Sequence, residues 1–180
     1  MGQQWRIPRG RAPAEGMVKG VSKVSNPQFQ VIRELTRVSL PVDDGYLFRL
    51  GVALYGFASV SGFMLEIVSY LDPPADRQAI SERPAGAILD QFRSAAKKWK
   101  GAPIQQAAST AATEFERLNS ERSDFVHAYP ITGVAGAQIL LRRFEEKGKY
   151  FEVTDAFLDD FVSRLTRVSD ALYVIRDVVT

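Results

Sequence analysis

Residues 104–129 read IQQAASTAATEFERLNSERSDFVHAY, and this stretch decides the fold. Ile104, Ala108, Ala111, Phe115, Leu118, Arg122 and Phe125 follow one another at alternating steps of four and three. That spacing is one stripe along an amphipathic α-helix. Six of the seven positions are apolar and the other is an arginine. A guanidinium on a core-facing stripe is costly unless it is paired or partly solvated. Arg122 therefore needs a partner. One candidate is a salt bridge to Glu121, Asp124 or a residue of another helix. The other is an anion in a cleft. Pro130 ends the helix near Ala128.

Working outward, the same period recurs downstream. Leu158, Phe161, Leu165, Val168, Leu172 and Ile175 form the stripe of a last helix, with Thr154 and Asp155 placed to cap it. Between the two helices, Gln138–Phe144 and Lys149–Thr154 read as strands of a hairpin around Glu146-Lys147-Gly148. Upstream, Pro84 opens a shorter helix with Ile88, Leu89, Phe92, Ala95, Ala96 and Trp99 inward. Lys97, Lys98 and Lys100 suit the negative end of its dipole, and Gly101 and Pro103 close it.

Before Asp72-Pro73-Pro74 lies the most apolar segment, Tyr46–Leu71, with 16 uncharged residues between Arg49 and Glu66. A membrane span needs roughly 20 predominantly apolar residues. The expectation is instead a central helix buried on most sides. Gly51, Gly56, Ser59, Ser61 and Gly62 would admit a second helix, from this chain or another copy. A first short helix runs from Asn26-Pro27 through Phe29, Ile32, Leu35 and Val38 to Pro41. The expected architecture is a mainly α, single-domain bundle of four or five helices with a short β-hairpin before the last helix.

Composition narrows the chemistry. The chain has 180 residues, of which 46% are hydrophobic and 24% charged, enough for a packed core. It contains no cysteine and one histidine, so thiol chemistry and multi-histidine metal sites within one chain are excluded. The net charge is +2, too small to mark the whole protein as a nucleic-acid binder. The charge is uneven: residues 1–40 carry seven basic and two acidic side chains. Residues 1–25 read as a flexible basic N-terminal arm, either a tether for a phosphate backbone or a solubilising tail. Residues 26–180 form the helical domain. Residues 1–20 are polar, basic and interrupted by Pro8 and Pro13, unlike a signal peptide, so a cytoplasmic protein with no membrane partner is expected.

No phosphate-binding glycine loop or nucleophile elbow is present. Asp43-Asp44, Glu145-Glu146 and Asp159-Asp160 are adjacent pairs whose members diverge, so none forms a carboxylate dyad.

The one histidine, His127, stands five positions after Arg122. Arginine, four residues and histidine is the pattern of the HEPN superfamily, which this segment resembles. Tyr129 extends the match to a variant ending in any residue and tyrosine. Ser123 stands where that family usually has Asn, Asp or another strongly polar residue. The resemblance implies a compact helical bundle acting as a homodimer and a metal-independent endoribonuclease of the toxin or antiviral-defence type. It also implies a possible antitoxin partner, needs no cofactor, and casts Arg122 and His127 as catalytic with Ser123, Asp124 and Tyr129 supporting. The alternative is a non-catalytic helical module for dimerisation or partner binding.

The residue types suit that chemistry. Attack by an RNA 2′-hydroxyl needs a base for its proton and an acid for the 5′-oxygen. An imidazole, with an ordinary pKa of about 6.5, serves either role. A guanidinium fork stabilises the charge gathering on phosphorus oxygens. Five residues turn a helix by about 140°, so Arg122 and His127 do not share a face, whereas Arg122 and Tyr129 nearly would. A composite site across a symmetric dimer supplies two of each group.

Overall fold

The computed structural model describes residues 27–180, apart from 37, 39, 100, 134, 135, 146 and 147. The N-terminal arm expected over 1–25 and the Glu146-Lys147 turn lie outside the described residues. The chain divides into two compact units, residues 1–35 and 36–180.

The described part of the first unit is helix α1 (Pro27–Leu35), which has no buried residue. It stops before the expected Val38. The Thr36 hydroxyl accepts the Val38 N–H at 3.1 Å, a local turn that competes with helix.

The second unit contains α2 (Asp44–Leu71), α3 (Arg77–Ser81), α4 (Ala85–Lys97), α5 (Ala102–Val126), β1 (Tyr129–Thr132), β2 (Gln138–Phe144), β3 (Lys149–Val153) and α6 (Asp155–Val179). The fold is mainly helical with a small antiparallel sheet before the last helix, as expected. Two short elements are additional. Asp76 caps the one-turn helix α3 by accepting the Ala79 N–H. The hairpin gains β1, and the strand order is β1-β2-β3 with Tyr129 opposite Leu141 and Glu152 opposite Leu141 on the other side. Pro130 is tolerated there because β1 is an edge strand, where a missing N–H costs no ladder bond.

Two of the long helices start at a side-chain cap. Asp43 caps α2 by accepting the Gly45 N–H at 2.8 Å, and Thr154 caps α6 by accepting the Phe157 N–H at 3.2 Å. α6 packs on α5 and α2, and α4 packs on α2 and α5. Their stripes meet in one core that includes Phe57, Phe92, Phe115, Leu118, Phe161 and Leu172. Phe57 stacks on Phe115 with centroids 5.1 Å apart, while Phe125 meets Phe161 edge-on at 5.2 Å.

Polar tethers fix the helix ends. The Tyr46 hydroxyl donates to the Val153 carbonyl and accepts from the Leu140 N–H, each at 3.0 Å, so it joins α2 to two strands. Trp99 Nε1 donates to the Leu71 carbonyl at 2.8 Å, tying the end of α4 to the end of α2.

α2 departs from the expectation of burial on most sides. Tyr46, Ala53, Phe57, Val60, Met64 and Ile67 are buried, whereas Phe48, Gly51, Tyr55, Ala58 and Gly62 are exposed on the opposite side. Gly56 lies at the close approach to α6, where an added Cβ would meet Leu165 Cδ1 at 3.1 Å. Among the described residues, α2 is the helix long and apolar enough to cross a membrane by length and composition. One side of it is the core of this unit.

Candidate active site

The last turn of α5 and the start of the sheet hold the residues singled out in the sequence. Arg122 faces α2, as its stripe position requires. Its Cζ lies 5.1 Å from the Phe57 ring centroid, and its Nη2 donates to Asn119 Oδ1 at 3.1 Å. Stacking on an aromatic face is one way to hold a guanidinium at a core boundary without a carboxylate. Its Nε is buried and has no hydrogen-bond partner among the described residues. An unsatisfied buried donor costs about 1–3 kcal/mol.

Glu121, one of the expected ion-pair partners of Arg122, is used elsewhere. Arg164 of α6 is 5% exposed, and both its Nη atoms donate to Glu121. Its Nη1 also reaches Glu114 at 3.4 Å, and its Nε lies 2.7 Å from Asp160 Oδ2 without a directed hydrogen bond. Burial pulls the Arg164 pKa down, but the Glu121 hydrogen bond and the charges of Glu121 and Asp160 outweigh that and raise it. The seam between α5 and α6 is thus locked beside Arg122 by a buried arginine and acidic partners.

His127 is the C-cap of α5 and is exposed. Its N–H donates to the Ser123 carbonyl at 3.2 Å, and its own carbonyl accepts from Arg142 Nη1 of β2 at 3.2 Å. Arg142 also lies over Phe144, with Cζ 5.5 Å from the ring centroid. The Arg142 guanidinium therefore sits against the end of α5, where a cation at the carbonyl end is favourable. Ser123 and Asp124 are half-buried on that last turn.

Tyr129 is not on the helix. The chain leaves helical geometry at His127, and Tyr129 opens β1, exposed and paired with Leu141. The helical face expected for Arg122 and Tyr129 therefore does not exist, because Pro130 turns the chain into the sheet. Arg122, Ser123, Asp124 and His127 follow one another along the end of α5, Arg122 turned to Phe57 and His127 exposed at the cap, and Tyr129 lies on the adjoining strand.

Three contributors escaped the sequence reading. Asn119 was legible in principle, being three residues before Arg122 on the same helix. Phe57 and Arg142 come from distant segments, and no local spacing points to them.

Chemically, the end of α5 offers a guanidinium with a donor not satisfied among the described residues, an exposed imidazole and a second guanidinium on the neighbouring strand. Among the described residues no group of three or more His, Asp or Glu converges as a metal-binding cluster. The fold and this site define a class: a mainly helical domain in which one amphipathic helix carries an arginine on its apolar stripe and a histidine at its C-cap. Comparison with protein-family models, with curated proteins and with solved structures finds no match for the chain.

Proposed function

We propose that the protein is a HEPN-like, metal-independent endoribonuclease of the toxin or antiviral-defence type, cleaving RNA at a site composed by two copies of the chain. The observation that carries the reading is the condition of Arg122. It interrupts an apolar stripe, rests on Phe57 and Asn119, and keeps a buried Nε without an acceptor among the described residues, five residues before an exposed histidine. A phosphate oxygen is an acceptor of the right kind for that guanidinium.

In this mechanism one His127 takes the proton of the 2′-hydroxyl as its oxygen bonds to phosphorus. The P–O5′ bond breaks, and the His127 of the second copy gives a proton to the departing 5′-oxygen. The products are a 2′,3′-cyclic phosphate and a 5′-hydroxyl. Arg122 binds the non-bridging oxygens as charge gathers on them. Ser123, Asp124 and Tyr129 support the site, and Arg142 holds the His127 backbone. The basic N-terminal residues add sequence-independent attraction for RNA. The working place is the cytoplasm, with an antitoxin or regulatory protein as the possible partner.

A second reading, a non-catalytic module for dimerisation or partner binding, is favoured by one observation. Asn119 and Phe57 already hold Arg122 in place, as a purely structural arginine would be held. Arg122→Lys separates the two. It keeps the charge but loses the fork, and on the enzyme reading it lowers cleavage by about 10²-fold, the scale of a lost transition-state donor, with thermal stability little changed. Unaltered cleavage by that variant, or loss of the fold without a separate loss of rate, contradicts the catalytic role of Arg122.

A further inference from the structure

The antiparallel register sorts the side chains of the sheet into two faces, because residues opposite one another share a face and neighbours along a strand alternate. One face carries Leu140, Phe151 and Val153 and packs on the helices. Val153 belongs to the core, and Phe151 meets Phe157 edge-on at 4.7 Å. The other face carries Tyr129 of β1, Leu141 and Arg143 of β2, and Tyr150 and Glu152 of β3. Leu141 is buried, yet it stands outside the core cluster. Its direct neighbours on that face are Tyr129 on one side and Glu152 on the other.

Tyr129 and Tyr150 nevertheless keep 47% and 64% of their surface exposed. They stand on strands about 10 Å apart, on either side of β2. The Tyr150 hydroxyl donates to Glu152 Oε1 at 2.8 Å. That hydrogen bond, then partial burial and the Glu152 charge, raise the Tyr150 pKa, and Tyr129 adds to the rise. Arg143 lies opposite Tyr150. Its pair with Glu145 at 2.9 Å joins two exposed side chains, a contact weak enough to be exchanged for a phosphate. This face adjoins the candidate active site. Tyr129 follows His127 by two residues, and Arg142 ties β2 to the His127 carbonyl at 3.2 Å.

Exposed rings beside a guanidinium are the elements that hold unpaired bases and their phosphates. Two rings present far less than the roughly 800 Å² per partner of a standard protein interface, which disfavours a protein occupant. Glu152 does not oppose a polyanion here, since a carboxylate on such a face accepts from the exocyclic amino group of a base. We propose that the outward face of the β1-β2-β3 sheet binds the single-stranded RNA next to the cleaved bond, with bases stacked on Tyr129 and Tyr150 and a phosphate at Arg143. The choice of RNA rests on the ribonuclease reading; the stacking surface rests on the sheet itself.

The test uses a short oligoadenylate with 2′-O-methyl groups, which removes the attacking hydroxyl, so that binding is read apart from cleavage. Its affinity for the 180-residue chain is measured by fluorescence anisotropy. Tyr129→Ala and Tyr150→Ala should each weaken binding about tenfold, the scale of one lost base stack. Tyr129→Phe and Tyr150→Phe keep the ring and should stay within about twofold of wild type. An abasic oligomer of equal length should bind at least about tenfold more weakly than the adenylate. In wild-type protein the adenylate should shift the ring resonances of Tyr129 and Tyr150, which locates the site if an alanine variant does not fold. No binding by the wild type, equal binding of the abasic oligomer, alanine variants at wild-type affinity, or shifts elsewhere would each overturn the proposal. Unmodified RNA is followed in parallel. RNA left intact under the expected binding pattern supports the stacking surface and contradicts the ribonuclease. Cleavage with alanine variants at wild-type affinity contradicts the stacking surface and not the ribonuclease.

Discussion

The Tyr46 hydroxyl joins the first long helix to the sheet, and its removal has a definite cost. It both donates and accepts, so Tyr46→Phe strands the Val153 carbonyl and the Leu140 N–H in a buried place. The expected loss is about 1–3 kcal/mol in equilibrium denaturation. The same hydroxyl carries a pH signature. Burial raises its pKa above the ordinary 10.0, the Leu140 N–H works against that, and the charge of Asp155 adds to the rise. A group whose folded pKa is raised contributes stability below its unfolded pKa and loses it as pH climbs through the folded value. Wild-type stability should therefore fall more steeply than that of Tyr46→Phe as pH rises past about 10. Parallel curves for the two proteins would show that the hydroxyl is not buried as described. Arg122 teaches a different lesson at this scale. Its position on an apolar stripe announced an unusual environment, but the spacing could not tell a carboxylate from an aromatic ring. The ion pair available locally, through Glu121, went to Arg164, a residue 43 positions away in sequence.

Elements show where local pattern is enough and where it fails. α5 and α6 were legible because each alternates an apolar stripe with polar faces, and the hydrophobic period survives any partner. β2 and β3 were legible from a turn with Gly148, which adopts φ +58°. β1 was hidden by its length of four residues and by Pro130, which marks the end of a helix as readily as it marks an edge strand. α2 was recognised as a helix but not oriented. Its apolar residues occur all round, so composition could not reveal that Phe48 and Tyr55 face outward. The glycines of α2 make the orientation testable. Nothing lies within 4 Å of a Cβ added at Gly51, whereas one at Gly56 meets the buried Leu165. Gly51→Ala should raise stability by about 0.5–1 kcal/mol through helix propensity alone. Gly56→Ala should gain less or lose stability, because the packing must give at the approach to α6. Equal gains in thermal unfolding for both variants would contradict the packing of α2 against α6.

At the scale of the molecule, the fold explains why a site would form at the carbonyl end of α5. Helix packing fixes Arg122 over Phe57, the α5–α6 seam is locked by Arg164, and the sheet delivers Arg142 to the His127 carbonyl. One chain still supplies one imidazole, and cleavage by 2′-hydroxyl attack uses an acid and a base. The ribonuclease reading therefore stands or falls with His127 and with chemistry that proceeds without metal. The direct measurement is incubation of the purified 180-residue chain with single-stranded and structured RNA in EDTA, comparing wild type with His127→Ala and reading fragment ends. Exposed His127 is a conservative place for such a change, and the fold should persist. The account predicts fragments with 2′,3′-cyclic phosphate ends from the wild type and none from His127→Ala. Intact RNA with a folded, dimeric wild type, or equal cleavage by both proteins, would contradict it.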